Sequence, residues 1–227
     1  MVSITRDDVF RAISLVKIDE GEFLGRWVFT RGVSIFEGLV AVMLTQNTSD
    51  KVAARVYRDL KARLGSITPS SILSLSRLEL EGLLRPIGSF RQRADRLIRL
   101  ATVVNMKYGG SLEFIRDMDT DEARRTLMSL PGVGPKTADV VLLNIGKPTF
   151  PVDTHIVRIS HRLGVVGGYE DVSLFWRSIL NPEDYLRVHL GLIEFGRRIC
   201  RSRRPLCGEC PIRDKCMYYR SGVQLPR

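Results

Sequence analysis

The sequence predicts an all-α protein of two helical lobes joined by short connections. Apolar residues recur at three- and four-residue intervals in DDVFRAISLVK (7–17), SIFEGLVAVML (34–44), SDKVAARVYRDLKARL (49–64) and SFRQRADRLIRLATVVNMKY (89–108), the period of amphipathic helices. Strand signals are few, since TFPV at 149–152 is short and broken by proline. The chain has 227 residues and is 44% hydrophobic, enough to bury a proper core in one large domain or two lobes. No internal repeat, linker or low-complexity stretch interrupts the pattern.

Helix starts follow from capping chemistry. Ser49 or Asp50 is placed to open the third segment, and Ser89, just after Gly88, the fourth. Asp119-Thr120 precedes DEARRTLMSL, with acids in its first turn. The fourth segment carries Arg91, Arg93, Arg96 and Arg99, which read as a solvated basic face.

The net charge is +10, which favours a polyanionic partner through counterion release. Nucleic acid is therefore a candidate that charge alone does not establish. No apolar run approaches the roughly 20 residues that span a bilayer. The first residues carry acids early and lack a signal-peptide layout, so the protein is expected to stay in the cytoplasm.

All four cysteines, Cys200, Cys207, Cys210 and Cys216, fall in CRSRRPLCGECPIRDKC, spaced C-x6-C-x2-C-x5-C. Disulfides are disfavoured in a reducing cytoplasm, and this polar segment is no core stripe. A metal or iron–sulfur site is the functional reading. Structural zinc usually takes two compact C-x2-4-C knuckles. One C-x2-C pair with long flanking gaps suits an iron–sulfur cubane better, with zinc as the competitor.

Residues 130–142 read LPGVGPKTADVVL. Two glycines two apart make a tight turn, and Pro135 fits the first position of an outgoing helix with Gly134 as its cap. The amides of Gly132, Val133 and Gly134, with the positive helix end, would form an anion site. Such a helix–hairpin–helix would grip a DNA phosphate. Lys136 falls in the first turn of the outgoing helix, where the dipole disfavours a cation and leaves the free amine more available as a nucleophile. A phosphate-binding or solvated lysine is the plainer alternative. Asp153, in FPVDTHIVRIS, reads as the N-cap of the helix that follows it. An ionised capping carboxylate is also able to deprotonate a nucleophile or stabilise a developing cation. His155 and Arg158 are candidate phosphate contacts, or else a hydrogen-bonded structural histidine and a solvated arginine.

Taken together, LPGVGPKTADVVL, VDTH and the cysteine ladder resemble the endonuclease III family of DNA glycosylases, from about residue 30 to Cys216. The resemblance implies a six-helix barrel with the helix–hairpin–helix at 30–148. It implies a second lobe composed of 1–29 and 149–227 that carries the cluster loop, with a DNA-binding cleft between the lobes. It also implies a [4Fe-4S] cluster on the four cysteines, and as partner double-stranded DNA containing damaged bases or abasic sites. The protein is expected to be a monomer associated with the nucleoid. Lys136 falls on the family's catalytic lysine, whose amine attacks C1′ of a damaged nucleotide and forms a Schiff base before β-elimination. Asp153 falls on its catalytic aspartate. A polar side chain from LTQNTSD (44–50), either Gln46 or Asn47, would fill the gap left by the flipped nucleotide. Arg201, Arg203 and Arg204, between the first two cysteines, would meet phosphates.

Related enzymes differ at these positions. Adenine-mismatch glycosylases carry a serine at the position of Lys136 and a catalytic glutamate where this chain has Ala41. Thymine·guanine mismatch enzymes tend to have a tyrosine at the lysine position. The expected activity is base-excision repair by a bifunctional glycosylase and AP lyase acting on oxidised pyrimidines. The alternatives are a monofunctional mismatch glycosylase (T·G, U·G or A·8-oxoguanine) and a non-enzymatic DNA-binding iron–sulfur protein.

Overall fold

The computed structural model describes residues 4–222. Among these residues all regular structure is helical. In chain order the helices are α1 (Arg6–Ile13), α2 (Leu24–Phe29), α3 (Ile35–Leu44), α4 (Asp50–Leu64), α5 (Pro69–Leu73), α6 (Arg77–Leu84), α7 (Phe90–Tyr108), α8 (Thr120–Met128), α9 (Pro135–Asn144), α10 (Thr154–Leu163), α11 (Tyr169–Ile179), α12 (Tyr185–Arg198) and α13 (Met217–Arg220). No helix is long and apolar enough to cross a membrane.

Local chemistry explains most of these boundaries. Thr5 and Asp8 form a reciprocal capping box at α1, and Ser76 with Glu79 forms another at α6. Ser49 caps α4 through the Val52 amide, and Asp119 caps α8 through the Glu122 amide at 2.8 Å. Gly65 (φ 72°) and Gly109 (φ 61°) stop α4 and α7 in backbone conformations that glycine adopts without penalty. Ser89 departs from the expectation. It precedes α7 in the left-handed region (φ 57°) and makes no side-chain cap hydrogen bond. A capping side chain needs extended backbone to reach back to the helix amides, and Ser89 lacks it.

The chain divides into two compact units, Asp19–Lys147 and a composite of Met1–Ile18 with Pro148–Arg227. Residues 19–29, expected with the N-terminal segment, belong to the larger unit. The reason is packing: α2 lies against α3, α4 and α9, and Leu24 and Val28 are buried in its core.

In the larger unit α3 is the central element. Every residue from Ile35 to Leu44 is buried, so this helix is apolar on all sides and wrapped by neighbours. Its one charged residue, Glu37, accepts from Tyr57 Oη (2.5 Å) and pairs with Lys61 Nζ (2.6 Å). Burial, then the bond to Glu37, push the Tyr57 phenol pKa well up. Gly38 lets α2 approach closely, because a Cβ there would lie 2.2 Å from the Phe29 ring. Leu80, Leu97, Leu100 and Val141 extend the same core.

In the composite unit α12 packs on α1 and α10. Phe150 stacks on Trp176 (centroids 6.0 Å apart) and meets Tyr185 edge-on at 5.7 Å. The buried indole Nε1 donates to Ser160 Oγ at 2.9 Å, so the aromatic core leaves no polar handle unsatisfied there. Gly191 faces Ile13, where a Cβ would meet side-chain atoms at 2.9–3.1 Å.

Gly38→Ala tests the α2–α3 contact. Alanine normally gains about 1 kcal/mol over glycine inside a helix. Here the overlap with Phe29 reverses the sign, and urea unfolding should show a loss of about 1–3 kcal/mol.

Candidate active site and cysteine loop

The hairpin of the larger unit is built as its sequence requires. α8 ends at Ser129, Leu130 N donates to Leu127 O at 3.0 Å, and Gly132 turns the chain at φ 80°. A Cβ at Gly132 would sit 2.9 Å from Met43 Cε, so glycine serves both the backbone angle and the approach. Gly134 is the N-cap of α9 in extended backbone without a side chain to cap it, and Pro135 follows at the first helical position. The first-turn amides of α9 therefore keep open donors. Val133 contributes differently from expectation. Its amide donates to Leu130 O at 3.2 Å and its side chain is buried, so it braces the turn from inside. Among the described residues the Gly132 and Gly134 amides meet no backbone acceptor. Lys136, in the first turn of α9, is exposed.

The 44–50 segment lies against this hairpin. Gln46 Nε2 donates to Thr137 Oγ1 at 3.0 Å and to Gly132 O at 3.3 Å. Its amide is thus spent on the turn that carries Lys136. Asn47 is exposed and left-handed, at φ 51°. Arg93 holds the segment in place. It donates to Met43 O (3.2 Å), Gln46 O and Thr48 Oγ1 (3.2 Å), and also to Gly88 O (2.7 Å). Arg91, Arg96 and Arg99 are exposed as expected, but Arg93 is half-buried. Burial, then Arg96, lower its pKa from the usual guanidinium value.

In the composite unit Asp153 is the N-cap of α10. Its Oδ1 accepts from Ile156 N at 2.8 Å, and the side chain is buried. His155 follows inside the first turn and meets Arg158 Nη2 through Nδ1 at 3.0 Å. Burial lowers the His155 pKa and Arg158 and Arg197 add to that, while Asp153 opposes it. Arg158 is no solvated arginine. Its guanidinium donates to Cys200 O (3.0 Å) and Gly196 O (2.8 Å), fixing the end of α12 to α10. Gly196 permits the contact, since a Cβ there would meet His155 Cβ at 2.7 Å.

One turn further along α10, Arg162 continues this work. It donates to Cys200 O (3.3 Å), Cys200 Sγ (3.2 Å), Arg201 O (2.8 Å) and Ser202 O (3.1 Å), and lies 4.7 Å from the Tyr218 ring centre. Cys216 Sγ donates in turn to Arg162 O at 3.3 Å. Sequence reading passed over Arg162. The available signal was its i, i+4 spacing from Arg158, which puts both guanidinium groups on one face of the helix.

The four cysteines line one small cavity together with Phe195, Ile199, Leu206 and Tyr218. Burial pushes the Cys210 thiol up to about 11, and the other three sulfurs push it the same way. Burial and then Cys200 raise Cys207 as well. Four thiols lining one cavity, beside the Arg162 guanidinium and inside an apolar shell, are a donor set that suits a thiolate-bound cluster. Among the described residues no group of three or more His, Cys, Asp and Glu side chains is arranged to close on a single metal ion. Arg201, Arg203 and Arg204 are exposed on the loop between the first two cysteines, and Arg204 is left-handed at φ 49°. The loop is also tied to α1. Lys215, just before Cys216, pairs with buried Asp8 at 2.5 Å, and Arg11 pairs with the same carboxylate. Burial alone would raise the Asp8 pKa, but Lys215, Thr5 and Arg11 outweigh it and hold it well below the usual carboxylate range.

Residues 40–180 match the model of the HhH-GPD superfamily base excision DNA repair proteins. The chain is 34% identical to an endonuclease III of Sulfolobus acidocaldarius over 92% of its own length and 93% of that protein. It is also 34% identical to a thymine-DNA glycosylase of Aeropyrum pernix, over 80% of this chain and 81% of that one. A solved structure of a trapped endonuclease III–DNA covalent intermediate superposes with a TM-score of 0.72 at 32% identity, over 84% of this chain and 87% of that one.

Asp8→Asn tests the tie between the cysteine loop and α1. A carboxylate whose folded pKa is depressed adds stability that is present above its unfolded pKa of about 3.9 and is lost as pH falls through the folded value. The variant should lose about 2 kcal/mol at pH 7. Its urea midpoint should also fall less steeply than that of the wild type below about pH 4.

Proposed function

This chain belongs to the HhH-GPD superfamily of base excision DNA repair proteins, and from that premise we propose that it is a bifunctional DNA glycosylase and AP lyase acting on oxidised pyrimidines. It is a DNA glycosylase of the endonuclease III type. The finer reading rests on one observation: an exposed lysine in the first turn of α9, on the hairpin whose Gly132 and Gly134 amides meet no backbone acceptor. DNA phosphate is the ligand such amides suit.

In this reading the lesion leaves the stack before chemistry. The Lys136 amine attacks C1′, and the N-glycosidic bond breaks with its electron pair leaving on the base. Ring opening yields a Schiff base. Loss of a C2′ proton then expels the 3′ phosphate oxygen and cuts the strand. Asp153, the buried N-cap of α10, accepts the amine proton or stabilises the positive charge that develops at C1′. Between the two candidates for the vacated stack, Asn47 is favoured. Gln46 already donates both of its observed hydrogen bonds to the hairpin, whereas Asn47 is exposed. Exposed Arg201, Arg203 and Arg204 supply phosphate contacts, while Arg158 and His155 act through the loop they brace. The protein works as a monomer on double-stranded DNA in the cytoplasm.

Cys200, Cys207, Cys210 and Cys216 would hold a [4Fe-4S] cluster. When bound, that cluster supplies a rigid anchor for the arginine loop and takes no part in breaking the glycosidic bond. The purified protein should be yellow-brown and contain iron and sulfide. A colourless zinc form with full activity would overturn this assignment.

The thymine glycosylase among the relatives supports a second reading, a monofunctional mismatch enzyme. Covalent capture separates the two. Borohydride with abasic-site DNA should trap the protein, and Lys136→Ala should not trap. A wild type that excises thymine from T·G pairs but never traps would favour the mismatch enzyme.

A further inference from the structure

Arg93 stands outside the lysine and aspartate chemistry, and we propose that it is a positioning residue for nucleotide extrusion, locking the turn that presents Asn47. The inference rests on the glycosylase reading above.

Two of the exposed non-glycine residues in left-handed backbone are Asn47 (φ 51°) and Ser89 (φ 57°). Side chains other than glycine visit that region rarely, and persist there only where the surroundings hold them. One guanidinium holds both. Arg93 donates to Gln46 O and to Gly88 O (2.7 Å), the carbonyls of the residues immediately before Asn47 and Ser89. Fixing that carbonyl fixes the peptide plane from which φ of the next residue is measured. Met43 O and Thr48 Oγ1, each at 3.2 Å, close the clamp on either side of Asn47.

The chemistry of the clamp suits arginine alone. Four oxygens in different directions match a planar fork with five donors, whereas a lysine ammonium has three donors on a flexible stem. None of the acceptors is a carboxylate, so the contact is no ion pair that salt would screen away. Released from the clamp, the turn relaxes towards negative φ and Asn47 leaves its place. That loss falls on extruding the nucleotide and leaves the bond-breaking at C1′ untouched.

The test compares three substrates in single-turnover reactions: thymine glycol paired in a duplex, thymine glycol in an unpaired bubble, and a preformed abasic site. Arg93→Met should slow excision from the paired duplex by roughly tenfold or more, because extrusion is the step it weakens. Rates on the bubble and at the abasic site should stay within about threefold of the wild type. Asn47→Ala should also slow excision from the paired duplex, and on that substrate the double variant should be little worse than either single one. Should Arg93→Met fail to fold, Arg93→Lys carries the same comparison with a smaller effect. Equal slowing on all three substrates, no slowing on the paired duplex, or additive losses in the double variant would overturn the proposal. A wild type that neither excises nor traps would instead sink the glycosylase reading, and this inference with it.

Discussion

An irregular loop inside a helical protein creates carbonyl groups that no helix ladder satisfies, and each costs free energy unless a donor reaches it. Guanidinium groups supply the donors at both functional loops. Arg93 serves the 43–48 and 88–89 turns of the larger unit. Arg158 and Arg162 serve the end of α12 and the start of the cysteine loop in the composite unit. Without these forks the helices would still pack, since their cores are apolar. The segments that carry Asn47, Cys200 and the exposed arginines would lose these fixed points.

The two residues assigned to chemistry sit at helix N-termini that are finished in opposite ways. At α9 the cap is Gly134, which has no side chain, so the first-turn donors stay open for an anion and Lys136 stands exposed among them. At α10 the cap is Asp153, which takes the Ile156 amide and is buried in doing so. One helix end keeps its donors open and the other is closed by its own side chain. A backbone feature as common as a helix start thus leaves open donors in one place and a fixed carboxylate in the other.

Much of this was legible in the sequence, for local reasons. Helix period, the caps Ser49, Asp119 and Asp153, and the Gly-Pro start of α9 are encoded within a few residues of where they act. What escaped reading depends on distant oxygen atoms. Arg93, Arg158 and Arg162 look like surface charge, because their acceptors are backbone carbonyls that carry no sequence signature. Ser89 has the side chain of a cap, but its left-handed backbone is set by a clamp from the next turn of α7. Val133 reads as a phosphate-facing amide until the turn closes and commits it to Leu130. Residues 19–29 joined the larger unit because α2 fits the surface of α3, a match of shapes that periodicity does not express.

Carbonyl partners also have an electrostatic consequence. An arginine paired with a carboxylate cancels its charge, as Arg124 does with Asp139 and Arg6 with Asp184. An arginine that donates to carbonyls keeps its full unit of positive charge. Arg158 and Arg162 therefore brace the cysteine loop and, at the same time, leave a positive field beneath exposed Arg201, Arg203 and Arg204. Such an arrangement is uncomfortable for the free protein, because like charges are held near one another. A DNA backbone would offset it. The net charge of +10 is in this sense structural as well as functional, since part of it is the cost of ordering loops with guanidinium groups.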